Sequence, residues 1–266
     1  MTEQATDAAA ALTERRGNVL IITLNRPDAR NAINAAVSTA VGDALQAAQD
    51  DPDVRAVVLT GAGPGFCAGA DLKAISRREN LFHPEHAEWG FAGYVRHYID
   101  KPTIAAVNGT ALGGGTELAL ASDLVVAEER SKFGLPEVKR GLIAAAGGVF
   151  RIVDHLPRKV AMQLLFTGEP ITADEALKWG LINEVVPDGT VVEAAVALAE
   201  RITVNAPLAV WASKRVAYGV DDAVITGDEA GWSRTMREMS AVLRSEDAKE
   251  GPLAFAEKRA PVWKAR

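Results

Sequence analysis

The stretch from Lys101 to Ala127, KPTIAAVNGTALGGGTELALASDLVVA, decides how the chain is read. Thr103 to Val107 and Leu124 to Ala127 are short apolar runs of strand length. Between them three glycines, Gly113 to Gly115, open a helix whose apolar residues include Leu118 and Leu120. Strand, glycine turn, helix and strand in succession are the grammar of an α/β domain. The same alternation extends outward, with further strands expected at Val19 to Leu24, Ala56 to Thr60 and Leu181 to Val186. Ile33, Val37, Val41 and Leu45 recur every four residues, with Ala40, Ala44 and Ala48 filling the stripe, which predicts an amphipathic helix ended by Asp50 to Asp53. Thr172 and Glu175 form a capping box, and Gly180 closes that short helix before the strand LINEVV. After Pro187 no further strand is expected, and helical spacing begins at Val191, Pro207, Glu229 and Pro252. The resulting division is a frayed amino terminus (1–12, with order expected only beyond about residue 16), a core over 13–200, and a helical region over 201–266 belonging to the same structural unit.

Composition narrows the functional classes. A chain of 266 residues buries about three quarters of its unfolded surface without disulfides. With 29 basic against 35 acidic side chains the net charge is −6, which gives no general attraction for nucleic acid or anionic lipid. Cys67 is the only cysteine, so no intrachain disulfide can form, and a reducing, cytoplasmic setting is the natural expectation. No basic start followed by a long apolar run marks an export signal, and no apolar run reaches spanning length, so neither a membrane nor a nucleic-acid partner is expected.

Three segments carry candidate chemistry. GAGPGFCAGADLK, from Gly61 to Lys73, follows a strand but has neither G-x-G-x-x-G nor the Gly-Lys-Ser/Thr of a phosphate loop. Its small residues Ala68, Gly69 and Ala70 let a ligand approach bare backbone N–H groups; a plain strand-to-helix turn is the alternative. At Gly113 to Gly115 unpaired amides and the positive end of a helix dipole converge, with Glu117 in the first turn. Dipole complementarity alone would justify that carboxylate at a surface, but the flanking sequence is too apolar for a surface helix. In SKFGLPEVKRGLIAAAGGVFRI, Glu137 follows Pro136 and precedes a Gly/Ala-rich run. Two glutamates beside glycine turns form an acid/base pair if the fold brings them together, which spacing alone does not decide.

FCAGADLK, AAVNGTALGGGTELAL, FGLPEVKRGLIAAAGG and the closing KEGPLAFAEKRAP resemble the enoyl-CoA hydratase/isomerase, or crotonase, superfamily, in the same order and over nearly the whole chain. The resemblance implies a spiral of ββα units, a helical carboxyl-terminal region that packs trimers, and a homo-hexamer made of two trimers. By the same resemblance Ala70 and Gly114 supply the two N–H groups of an oxyanion hole. Glu117 and Glu137 match the hydratase glutamates, and Ala68, the stretch Ala70, Asp71, Leu72, Lys73, and the distant Lys258 match the coenzyme A contacts. It further implies an enoyl-CoA hydratase acting in acyl-CoA metabolism without metal, flavin or nicotinamide, coenzyme A being part of the substrate. One departure is that the sequence after the second glutamate, usually I-P-G-A-G-G, here reads Ile143, Ala144, Ala145, Ala146, Gly147, Gly148. Alanine at 145 keeps the N–H but adds a methyl group and disfavours positive φ.

Lesser signals are read as structural. Cys67 sits between Phe66 and Ala68 and is expected to be a packed thiol. His83 and His86 fit no metal-ligand spacing and are expected in a solvated loop. Trp89, Phe91, Tyr94 and Tyr98 are expected to pack as a helical core, with acyl-pocket lining as the alternative. Two rival functions stay open: an isomerase of the same fold, and a non-catalytic acyl-CoA or protein-binding module.

Overall fold

The structure, a computed structural model, describes residues 9–266. Six strands form the main sheet in the order β1 (Ala11–Arg16), β2 (Val19–Leu24), β3 (Ala56–Gly61), β4 (Thr103–Val107), β6 (Leu124–Glu128) and β9 (Glu184–Val186). Only the β1–β2 pair is antiparallel. The near-continuous apolar character of β2, β3 and β4 follows from burial on both faces. Ile22, Leu24, Val57, Leu59, Ala105 and Val107 point into one core, where Val37, Val41 and Leu45 of helix α1 (Ala35–Asp50) pack. Val19, Ile21, Ala56, Val58, Ile104 and Ala106 point the other way, against Val191, Ala195 and Ala199 of helix α7 (Val191–Thr203). That is the two-residue period of a strand read directly in the burial.

A second, smaller sheet positions the site. Strands β5 (Thr110–Leu112), β7 (Lys132–Gly134) and β8 (Ile171–Thr172) lie in that order. β5 follows β4 and leads into helix α3 (Gly114–Ala121); β7 follows β6 and leads into a 3-10 turn, Pro136–Arg140. Two strand–strand–helical-turn units are thereby laid side by side, with Leu112 paired to Gly134. This is the crotonase spiral expected from the resemblance. Two short helices continue the chain, α4 (Gly148–His155) and α5 (Arg158–Thr167), before the capping-box helix α6 (Ala173–Trp179), where both reciprocal Thr172–Glu175 bonds form and Gly180 takes the left-handed conformation. Helices α8 (Pro207–Tyr218), α9 (Glu229–Val242) and α10 (Asp247–Ala256) complete it.

Four expectations are corrected. The chain is already in a strand at Ala11, well before residue 16, because the polar run ALTERR is an edge strand paired with β2 from Ala11↔Leu24 to Arg16↔Val19; expectations for residues 1–8 lie outside the described residues. Strand β9 starts at Glu184 rather than Leu181, because Leu181 N–H still bonds back to Ala176 O at the end of α6 and pairing with β6 begins only at Glu184. The tail is not purely helical: β10 (Val220–Asp221) and β11 (Val224–Ile225) form a hairpin whose turn residues Asp222 and Ala223 both have positive φ. Pro252 lies inside α10 rather than opening it. Among the described residues no helix is long and apolar enough to cross a membrane.

Candidate active site

Each candidate carboxyl stands just beyond a strand of the small sheet. Glu117 is in the first turn of α3, and Glu137 is in the turn after β7. The parallel pairing of β5 and β7 makes them neighbours. Thr116 locks the two units together, its Oγ1 donating to the Ala111 carbonyl (2.8 Å) and accepting from Gly134 N–H (2.9 Å). The sequence reading missed this threonine, and a hydroxyl beside a glutamate in an apolar helix was the only signal for it.

The glycines at the start of α3 are there because three different groups come close. A Cβ on Gly113 would stand 2.8 Å from Oε1 of Glu137, one on Gly114 would meet the Phe91 ring, and one on Gly115 would meet the Cys67 carbonyl. The facing loop is stitched to the same place by two parallel bridges, Ile33↔Ala70 and Cys67↔Ala111. Ile33 N–H bonds Gly69 O and Asp71 N–H bonds Ile33 O, so the N–H of Ala70 points away from Ile33. Among the described residues neither it nor the N–H of Gly114, the first residue of its helix, is hydrogen-bonded. Gly69 closes the gap between the two, since a Cβ there would lie 3.1 Å from Gly114 N.

Glu117 is 3% exposed and its Oε1 accepts from Gly148 N–H at 2.9 Å. Burial pushes its pKa above the ordinary carboxylate value, the charge of Glu137 adds to the rise, and the amides of Gly148 and Ala146 with the Arg151 charge oppose it. Burial likewise raises Glu137, whose Oε2 is buried without a partner. Two adjacent carboxyls that both resist ionisation share protons, which is the condition for one to act as acid while the other acts as base. The Ala144 to Ala146 run fits without backbone strain, because none of the three has positive φ; the left-handed position is taken by Gly147 (φ 102°).

The remaining candidates are dispersed. Ala68, Leu72 and Lys73 are exposed along one rim. Asp71 caps helix α2 (Leu72–Ser76), accepting from Lys73 and Ala74 N–H, and pairs with Arg26 at 3.0 Å. Lys258 is exposed in the turn after α10. Cys67 is a packed thiol as expected, 1% exposed and pushed up to about 12 by burial. His83 corrects the solvated-loop expectation: it is buried, facing Asp43 at 3.1 Å and accepting from the N–H groups of Glu85 and His86. Nor is the aromatic stretch α-helical. It runs through two 3-10 turns, Ala87–Trp89 and Phe91–Gly93; Tyr94 packs in the core, bonded to Ser122, while Phe91 lies against the start of α3.

A strand–strand–helix spiral holding one buried and one half-buried carboxyl beside free amides defines a protein of the crotonase fold. The chain belongs to the enoyl-CoA hydratase/isomerase family, whose model matches residues 14–266. Among its relatives is a carnitinyl-CoA dehydratase of Salmonella typhi, 44% identical over 95% of this chain and 97% of that one. Among solved structures, a carnitinyl-CoA dehydratase from Mycobacterium avium 104 is 76% identical, with a TM-score of 0.95 over 97% of this chain and all of the other. An enoyl-CoA hydratase from Mycobacterium tuberculosis H37Rv is 44% identical, with a TM-score of 0.76 over the same share of this chain and all of its own.

Proposed function

We propose that the chain is a crotonase-type hydro-lyase that adds water reversibly across the 2,3 double bond of an enoyl-CoA thioester to give a 3-hydroxyacyl-CoA. The observation that carries this reading is the pairing of buried Glu117 with half-buried Glu137, whose Oε2 is buried without a partner, both resisting ionisation, beside the free amide of Gly114. Attack at C3 requires charge to develop on the thioester oxygen. Two preorganised N–H groups, from Ala70 and Gly114, stabilise that enolate by about 3–4 kcal/mol each. Glu117, held by Gly148, takes a proton from the attacking water, and Glu137 delivers one to C2. Because the pair shares its protons, the macroscopic titration belongs to both. The chemistry draws on no metal, flavin or nicotinamide, since carboxyls and amides supply both the proton transfers and the polarisation. Coenzyme A is assigned to the rim of Ala68 and Ala70 to Lys73 with Lys258, and the working form to a cytoplasmic homo-hexamer.

The named relatives support carnitinyl-CoA as the first acyl group to try, next to unbranched enoyl-CoAs. The deciding experiment is crotonyl-CoA in ¹⁸O-water, with carnitinyl-CoA and 3-hydroxybutyryl-CoA compared in the dehydration direction. A hydro-lyase places the label on C3. An isomerase moves the double bond without incorporating oxygen, and a binding module does neither; both of these outcomes overturn the proposal.

A further inference from the structure

Beside Gly147, next to the Gly148 whose N–H holds Glu117, stands a buried cation that the chemistry above does not use. Arg151 lies one turn into α4, and its backbone N–H bonds Gly147 O at 3.0 Å. The residue is 8% exposed. Its Nε and Nη2 both donate to Oδ2 of Asp228, at 3.2 and 2.7 Å, at the start of α9. Its Nη1 is buried without a partner. That free nitrogen lies 3.2 Å from where a Cβ on Gly147 would stand, and the Trp232 ring lies 3.1 Å from the same point. The next residue, Gly148, donates the N–H that holds Glu117. A buried guanidinium with an unused donor is costly unless a nearby negative charge compensates it.

We propose that Arg151 is a positioning residue for the glutamate pair: its charge, held beside Gly147 by Asp228 and Trp232 of the α9 region, favours the anionic form of Glu117. The inference rests on the reading of Glu117 as the base. The charged and titratable neighbours are few. Glu117 faces Glu137, Arg151 and the Cys67 thiol. Arg151 faces Asp228, shares the Trp232 indole with Arg96, and stands near the phenols of Tyr94 and Tyr218. Arg96 in turn pairs with Glu229. Among the described residues, Arg151 is the one group named around Glu117 that brings a positive charge, and Asp228 and Trp232 of the C-terminal region hold it.

The test uses Arg151→Gln, Arg151→Lys and Asp228→Asn. Glutamine is chosen over alanine because Arg151 also lines a cavity of about 320 Å³ that would admit water into a larger void. Two readouts are taken: infrared titration of the buried carboxyl of Glu117 in the unliganded protein, assigned with Glu117→Gln, and the acidic limb of kcat/KM for crotonyl-CoA. Losing the cation makes Glu117 harder to ionise, so Arg151→Gln moves both upward by about one pH unit. Arg151→Lys restores the wild-type position. Asp228→Asn removes the competing anion while keeping the cation, so it moves them downward. A structural ion pair would give the same direction for both partners; that result, or an unmoved Arg151→Gln titration, overturns the proposal. If Arg151→Gln fails to fold, the other two variants decide: an upward shift in Asp228→Asn, or in Arg151→Lys, refutes it. The infrared arm needs no turnover, so a protein that titrates as expected but never hydrates crotonyl-CoA would sink the hydratase reading and leave this one standing.

Discussion

Replacing Glu117 by Gln removes a charge and keeps the shape, and the structure says what each half of that exchange does. The glutamine carbonyl can still accept from Gly148 N–H, the bond that now measures 2.9 Å, so the local backbone has no reason to move. Activity should fall by about two to four orders of magnitude in kcat, the scale of a lost general base. Stability should move the other way. Burial and the neighbouring Glu137 raise the folded-state pKa of Glu117 above its ordinary 4.5. A raised carboxyl contributes fully to stability below the unfolded value and loses that contribution as the pH climbs through the folded one. Wild type therefore weakens by about 1.4 kcal/mol for each pH unit within that window, and the glutamine variant is spared this loss. Urea unfolding at pH 4.5, 6 and 7.5 reads the gap directly: close to zero at the lowest pH, and growing in favour of the variant at the others. A variant less stable than wild type at pH 7.5, or a gap that does not change with pH, would refute the argument that Glu117 is buried against its own ionisation.

Other substitutions follow from contacts already described. Gly251→Ala puts a Cβ against the backbone oxygen of Arg140, so it should displace the turn that carries Glu137, costing about 1–3 kcal/mol in urea unfolding and tenfold or more in kcat. Ala145→Gly should leave kcat within about threefold, because the alanine already sits without positive φ; its visible effect should be a stability loss of about 0.4–1 kcal/mol from a freer unfolded chain. Gly114→Ala should abolish turnover by driving into the Phe91 ring, and Gly114→Ala with Phe91→Ala should regain part of it, a double-mutant cycle in kcat that non-interacting sites would not show. Cys67, buried and with its thiol pushed up to about 12, should resist alkylation in the native protein and react at the unfolding rate, as mass spectrometry after a timed iodoacetamide pulse would record.

Much of the architecture was legible because the relevant signals are local. The parallel strands announce themselves as apolar runs, α1 by its four-residue stripe, and α6 by a capping box that forms as read. What failed were elements whose stability comes from partners. The run ALTERR is too polar to look like a strand and is one only because β2 offers it an edge. His83 looks like a loop residue until Asp43 and two backbone N–H groups satisfy it inside the protein. Strands as short as β8 have no periodicity to read.

The site divides along the same line. By itself the sequence determined the chemical inventory: two glutamates, each beside a glycine turn, small residues at Ala68 to Ala70, a lone cysteine, and a chain order that matches one family. Whether those glutamates meet was decided by tertiary structure alone, through the parallel β5–β7 pairing and the Thr116 clasp. So was the use of the three glycines, each left without a side chain by a different neighbour, and the presence of a buried cation near Glu117. The physical reason is range. Helix caps and strand periods are settled within a few residues, whereas a carboxyl's proton affinity depends on burial and on charges that the chain delivers from twenty or more positions away.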